Sequence, residues 1–327
     1  MTELALAIDI GGTKMAAGLV DRSGTLLARA QVPTPVDARR EEREALWRTV
    51  ADLVCQVQDQ VAGDDHLVVC GVGCGGPMSP GGETVSPLNI GGWRAFPLRA
   101  RLHELTGLPT FVDNDAKAFA VGEGWVGAAA DQGDFIGIVV STGVGGGIVL
   151  NGRLLEGRLG NAGHIGHVVV VPEGRRCVCG GRGCLEAEAS GTAIAAITGR
   201  PAKAAAPDMV ERTGTLVGRA VASVVNLLDL PLAVVSGSVA LGFCAPFFEA
   251  AQREVDLRCG LDYARGARMI PGGLGDRGPL IGAGCVGWRN VRNGRNGRNV
   301  RNGDKVRNRD NVRNRDGLRS VDGRDPA

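Results

Sequence analysis

The sequence predicts an α/β protein of two lobes with a cleft between them, and three observations carry that expectation. The chain has 327 residues, enough to bury two ordinary cores without disulfide staples. Two β-meanders, "LALAIDIGGTKMAAGLVD" and "FIGIVVSTGVGGGIVLNGRLL", are each folded around a Thr/Gly turn. That internal echo points to two related lobes. Helical runs of 3.6-residue period alternate with short apolar strands after each meander, as in layered α/β domains.

Taken in order, "LALAIDI", "MAAGLVD" and "TLLARAQV" read as three strands joined by "GGTK" and a Ser-Gly turn. A helix follows from about Glu41 to Val61, with Leu46, Val50, Leu53, Val54 and Val57 on one face. "LVVCGVG" is a buried strand, 75 to 92 a Gly/Pro-rich loop, "PLRARLHELTG" a helix and "LPTFVD" a strand. The next helix runs from Asp115 to about Val126 and leads into the second meander. A helix over 207 to 229 carries a stripe of Leu216, Ala220, Val221, Val224, Val225 and Leu228. "LAVVSGSVAL" then feeds a strand into a helix through Gly237 and Ser238. The expected lobes are 1–112, with 276–288 packing back onto it, and 113–275.

With 44% hydrophobic and 22% charged residues, the composition is that of a globular protein. No apolar run approaches the ~18 residues of a membrane span, and the first residues enter a strand without a basic leader, so a cytoplasmic location is expected. The overall charge of +2 conceals a break near residue 289. From Arg289 to Ala327 there are 12 basic and 5 acidic residues, leaving 25 basic and 30 acidic in the body. The tail repeats "VRNG" and "RNRD" with few apolar residues, a composition expected to stay disordered. Its charge could meet RNA or an acidic partner, but it lacks aromatic stacking residues, so nucleic-acid function is disfavoured.

Three glycine turns bear on ligand binding. "DIGGTK" places Asp9 at a strand end and Gly11, Gly12, Thr13 and Lys14 in a tight turn, where backbone N–H groups can converge on a phosphate. Alone, it reads equally as a hairpin. "STGVGGG", with Thr142 and Gly143, repeats the arrangement, and two facing polar turns favour nucleotide phosphates. "GVGCGG" at 71 to 76 matches G-x-G-x-x-G, but Pro77 and Pro80 disrupt the helix that a dinucleotide site needs. No G-x-x-x-x-G-K-[ST] loop occurs, which excludes a P-loop enzyme.

The stretch "GNAGHIGHVVVVPEGRRCVCGGRGCLE" sets two histidines three apart and three cysteines within eight residues. It raises three readings: a catalytic metal centre, a redox site, or a structural clip. In a reducing compartment, Cys177, Cys179 and Cys184 favour metal over disulfide. Cys55, Cys70 and Cys285 lie in apolar runs and are expected in the core.

"DIGGTK", "VDNDAKA", "STGVGGG", the "GH" followed by "CVCGGRGCLE", and "VVSGSVAL" occur in order over about residues 4 to 288. Together they resemble the ROK family of sugar kinases and related repressors. The resemblance implies a two-lobed actin-like ATPase fold of ribonuclease H-like lobes with an interdomain cleft and a zinc-binding loop, sugar in the cleft, and ATP with Mg2+ as phosphoryl donor. It also implies a homodimer or tetramer.

Combined with coordination chemistry, the resemblance makes His167, Cys177, Cys179 and Cys184 a full tetrahedral set for Zn2+. A full set leaves no open position, so a structural zinc supporting Glu186 is expected. Asp115 resembles the family's general base, taking the proton of a sugar hydroxyl that attacks the γ-phosphate. Taken by itself, an Asp here reads as a helix N-cap. Asn114 and Glu186 resemble sugar-hydroxyl ligands; Asn89 stands on the opposite lip, or is only a turn residue. His167 has an implied second role at the sugar. Asp9 is expected to position magnesium through water, Thr13, Lys14, Thr142 and Gly143 to lie near the phosphates, and Gly237 near the adenosine.

Where many ROK glucokinases carry Glu, this chain has His164, which puts glucose in doubt; "AGHIGH" with "NIGG" looks closer to bacterial N-acetylmannosamine kinases. His164 could instead buttress the site without touching sugar. The expected activity is transfer of the γ-phosphoryl group to the 6-hydroxyl of a hexose or N-acylhexosamine. The alternatives are a kinase for a cyclitol or similar alcohol, and a ROK-type transcriptional regulator, which normally carries a helix-turn-helix ahead of the first turn; here eight residues precede Asp9.

Overall fold

A computed structural model of the chain describes residues 1–35 and 43–291. Met1–Trp288 form one compact unit. The expected disordered tail lies, but for its first three residues, outside the described residues.

That unit is built on two five-stranded mixed sheets with one plan. In the first, β1 (Glu3–Ile10), β2 (Lys14–Asp21) and β3 (Leu26–Pro33) form the antiparallel meander, while β4 (His66–Cys74) and β5 (Thr110–Asn114) add in parallel, giving the order β3-β2-β1-β4-β5. The second repeats it with β6 (Phe135–Val140), β7 (Val144–Leu150), the two-residue β8 (Arg153–Leu154), β9 (Leu232–Ser236) and β10 (Arg268–Pro271), in the order β10-β9-β6-β7-β8. The echo between the two meanders is thus an echo of strand order and direction.

Helix α1 (Arg43–Gln58) buries Leu46, Val50, Leu53, Val54 and Val57, the five residues whose spacing marked its inner face. They pack with Leu4, Leu6, Ile8 and Val72 of the first sheet. Cys55 on the same helix is exposed, correcting its assignment to the core. It lies one position from Val54, off the buried stripe, and an apolar run around a cysteine does not say which face it takes. Cys70 and Cys285 are buried. After α2 (Leu98–Thr106), helix α3 (Asp115–Val126) starts directly from β5. The second core gathers Ile136, Ile138 and Val235 of the second sheet against α6 (Pro207–Leu228) and α7 (Ser238–Arg258). Helix α7 is interrupted at Cys244, at φ 53° and ψ −146°, two residues before Pro246. Two short helices, α4 (Leu185–Ala189) and α5 (Gly191–Thr198), connect the cysteine-rich loop to α6.

Residues 278–288 are helical again and lie against β4. Gly71 makes that approach feasible, because a β-carbon there would stand 2.1 Å from the Ala283 carbonyl oxygen. Trp288 closes the unit by donating its indole N–H to the Asp21 carbonyl at 3.0 Å. Among the described residues no helix is long and apolar enough to cross a membrane.

Candidate active site

The parallel strands β1, β4 and β5 end side by side, with Asp9, Gly73 and Asp113 in one register row and Ile10, Cys74 and Asn114 in the next. Strand carboxyl ends are where open α/β sheets bind ligands. Asp115 follows at the first position of α3. Gly73 sits between the two carboxylates: a β-carbon there would lie 3.5 Å from the Asp115 Cα and 3.6 Å from Asp9 Oδ1. Burial, then the nearby Asp115, pushes the Asp9 carboxyl up to about 7, with Lys14 opposing. Burial also pushes Asp115 above the ordinary carboxylate range, and the Ala116 N–H, 2.9 Å from its Oδ1, opposes.

Asn114, rather than Asp115, is the N-cap of α3. Its Oδ1 accepts from Ala116 N at 3.0 Å and Lys117 N at 3.3 Å. The side-chain oxygen of Asn114 is therefore committed to the helix, and its Nδ2 remains the group able to meet a ligand. A β-carbon at Gly76 would stand 3.5 Å from both Asn114 Nδ2 and His164 Cε1, so these two side chains flank the bare backbone of Gly76. Burial, then His167, lowers the His164 pKa and favours a neutral imidazole.

The two Thr/Gly turns face each other. Thr13 Oγ1 and Thr142 Oγ1 are 3.4 Å apart, and Gly12, Thr13, Lys14 and Thr142 are all exposed. Gly11 N donates to Lys14 O at 3.0 Å to close the first turn. Thr34 supports it by donating through its backbone N–H to Thr13 O at 3.0 Å and through its hydroxyl to Gly11 O at 2.7 Å. The second turn is held by Gly191 N on Ser141 O at 2.7 Å and by the Thr192 hydroxyl on Thr142 O at 2.9 Å. Asn89 abuts the first turn, since a β-carbon on Gly12 would be 2.7 Å from the Asn89 Cβ. Glu186 reaches the second, with Oε2 accepting from Val144 N at 3.0 Å. Gly237, at φ 101°, caps α7 where a β-carbon would collide with the Val140 carbonyl at 2.3 Å.

The ligand atoms of His167, Cys177, Cys179 and Cys184 all lie within 4.8 Å of one another. Cys177 Sγ is 3.7 Å from His167 Nδ1, and Cys179 Sγ 3.7 Å from Cys184 Sγ. A zinc tetrahedron with ~2.3 Å metal–sulfur bonds has edges of about 3.8 Å, so this donor set fits zinc. Nδ1 is the nitrogen turned toward the sulfurs, which leaves Nε2 for a second contact. Cys184 directly precedes α4, the helix that carries Glu186, so a metal held by these four residues would anchor that helix.

Several supporting residues escaped the sequence reading. Glu188 is 2% exposed and accepts from Arg175 N at 2.6 Å and from the Arg212 guanidinium at 2.5 Å, tying the cysteine loop to α6. Lys117 is buried at the start of α3. The capping pattern around 114 to 117 marks a helix start, but nothing local announces Glu188 or Thr34, whose partners are distant in sequence, and of the partners of Lys117 only Asp113 is near.

The ROK family model matches residues 5–286. An N-acetylmannosamine kinase of Escherichia fergusonii is 41% identical over 252 residues, covering 72% of this chain and 83% of that protein. The ROK family glucokinase of Streptomyces griseus, solved with glucose and AMPPNP, superposes with a TM-score of 0.74 at 30% identity, over 88% of this chain and 99% of that one. The ROK hexokinase of Thermus thermophilus gives 0.73 at 32%, over 89% and 99%. The two mixed sheets of common order are therefore the paired lobes of the actin-like ATPase fold, and the chain belongs to the ROK family.

Proposed function

We propose that the protein is an ATP-dependent sugar kinase that phosphorylates the 6-hydroxyl of an N-acylhexosamine, with N-acetylmannosamine as the leading substrate. The observation that carries the chemistry is the placement of Asp115, half-buried and raised in pKa, beside Asp9 where the two Thr/Gly turns converge. In this reading Asp115 accepts the hydroxyl proton while that oxygen forms its bond to the γ-phosphorus and the bond to ADP breaks. Asp9 would hold magnesium, Gly11, Gly12, Thr13, Lys14, Thr142 and Gly143 would surround the phosphates, and Gly237 would lie by the adenosine. Positioning and charge neutralisation supply most of the rate.

Asn114 through Nδ2, Asn89, Glu186, His164 and His167 through Nε2 make the sugar contacts. His167, Cys177, Cys179 and Cys184 would hold a structural zinc, and through it keep His167 and α4 in place with no coordination position left open. The acyl preference is supported by relatives about 40% identical that are N-acetylmannosamine kinases and by the neutral His164. Imidazole offers one acceptor and one donor where a carboxylate offers acceptors only. Glucose is the second reading, favoured by the glucose-bound Streptomyces griseus relative.

Phosphorus–proton correlation NMR on the product formed from ATP, magnesium and N-acetylmannosamine tests the assignment. A phosphate ester on carbon 6 is expected; an ester at carbon 1 would overturn it.

A further inference from the structure

Lys117 is a titratable group that the proposed chemistry leaves unused. Its side chain is 1% exposed, yet it sits two residues after Asp115 in the first turn of α3. Residues two apart on a helix point to different faces, so the ammonium belongs to the opposite flank from the carboxylate. There Gly147 of β7 lets the helix come close: a β-carbon on Gly147 would stand 2.8 Å from the Lys117 Cα.

The ammonium has three donors and three oxygen partners. Asp113 Oδ1 lies at 3.0 Å, Glu156 Oε2 at 2.6 Å and the Gly160 carbonyl at 3.0 Å. The first partner is on β5, directly before α3. The other two are on the loop from 156 to 163 that delivers His164. Gly157, Gly160 and Gly163 hold φ of 72°, 81° and 98°. Such glycines lose much backbone entropy when fixed, and no strand ladder restrains them. Ala162 N donates to Glu156 O at 3.1 Å within the loop, and Asn161 Nδ2 reaches Met78 O at 3.4 Å across the lip. Lys117 is thus the rivet between the helix that begins with Asp115 and the loop that ends at His164. A buried ion pair adds little net stability over an apolar pair of similar volume, so stability alone is a weak reason for this charge.

We propose that Lys117, acting through Glu156 and Gly160, is a positioning residue that sets the sugar affinity of the site by pre-ordering the 156–163 loop and its His164. The inference rests on the sugar-kinase reading. An unfastened loop must be ordered by the sugar itself, and that cost appears in the sugar KM.

Glu156 is exposed, so Glu156→Ala is the variant expected to fold, with Lys117→Met as its buried counterpart. Steady-state rates with N-acetylmannosamine and ATP are expected to show a sugar KM raised about tenfold or more, with the ATP KM and kcat within about threefold. Glu156→Gln, which keeps an oxygen acceptor, is expected to fall between wild type and Glu156→Ala. Hydrogen exchange in Glu156→Ala should quicken across 156–163 while α6 stays protected. A sugar KM within about twofold of wild type, or an ATP KM rising as much as the sugar KM, overturns the proposal. So does exchange that quickens equally in α6, which would mark Glu156 as merely structural. If the wild type phosphorylates no sugar, it is the kinase reading that fails; the exchange result then still decides whether the rivet holds the loop.

Discussion

Thr13 and Thr142 touch: their hydroxyl oxygens are 3.4 Å apart although 129 residues separate them in the chain. Each belongs to the turn between the first two strands of its own sheet. The pair therefore marks where the two repeats of one strand plan meet. Asp9, Asn89, Asp115 and Glu186 all stand around that meeting point.

Asp115→Asn removes the proposed base without disturbing the cap, which belongs to Asn114. Turnover is expected to fall by about 10²- to 10⁴-fold, the usual scale of general-base catalysis. Thermal unfolding and metal content should match wild type. Retained turnover in a folded variant would remove Asp115 from the role.

Asp9 titrates from 3.8 in the unfolded chain to about 7 in the folded one. Between those values the folded chain keeps a proton that the unfolded chain has released, so stability falls as pH rises through the window and levels off above it. The displacement corresponds to roughly 4 kcal/mol as a ceiling. Asp9→Asn, which cannot ionise, is expected to stabilise the ligand-free protein more at pH 8 than at pH 4 while abolishing activity. Urea unfolding at the two pH values checks this, and an equal effect at both would contradict the assigned burial of charge.

The four-ligand cluster predicts about one zinc per chain by elemental analysis. Cys184→Ser should lower both zinc content and melting temperature, and raise the sugar KM more than the ATP KM, because Cys184 adjoins the helix bearing Glu186. A chain purified without zinc yet fully stable and active would show that the loop needs no metal.

His164→Glu places a second-acceptor carboxylate beside Asn114 and Gly76. The ratio of kcat/KM for glucose over N-acetylmannosamine is expected to rise by about tenfold or more, the scale on which a few polar contacts discriminate substrates. An unchanged ratio would assign His164 to support rather than recognition.

Much of this arrangement is legible in the sequence because it is local. The buried stripe of α1, the start of α3 at Asp115, and the His and Cys spacing that could hold a metal each lie within one short segment. What is not legible depends on distant partners or on competition between neighbours. Asn114 and Asp115 are both good caps by type, and only the observed bonds show which one took the role. Lys117 is covered by β7 and the 156–163 loop, which come tens of residues later in the chain, so no short window shows its burial. Cys55 looks apolar by its neighbours but lies off the stripe. The break in α7 at Cys244 has a local sign in Pro246, two residues on.

The most direct test is ADP release by the purified full chain with ATP and magnesium, comparing N-acetylmannosamine, N-acetylglucosamine, glucose, mannose and no sugar, with Asp115→Asn alongside. The account predicts sugar-dependent release that is greatest with N-acetylmannosamine and lost in the variant. Release unaffected by any sugar, from protein that binds ATP and carries its zinc, would contradict it.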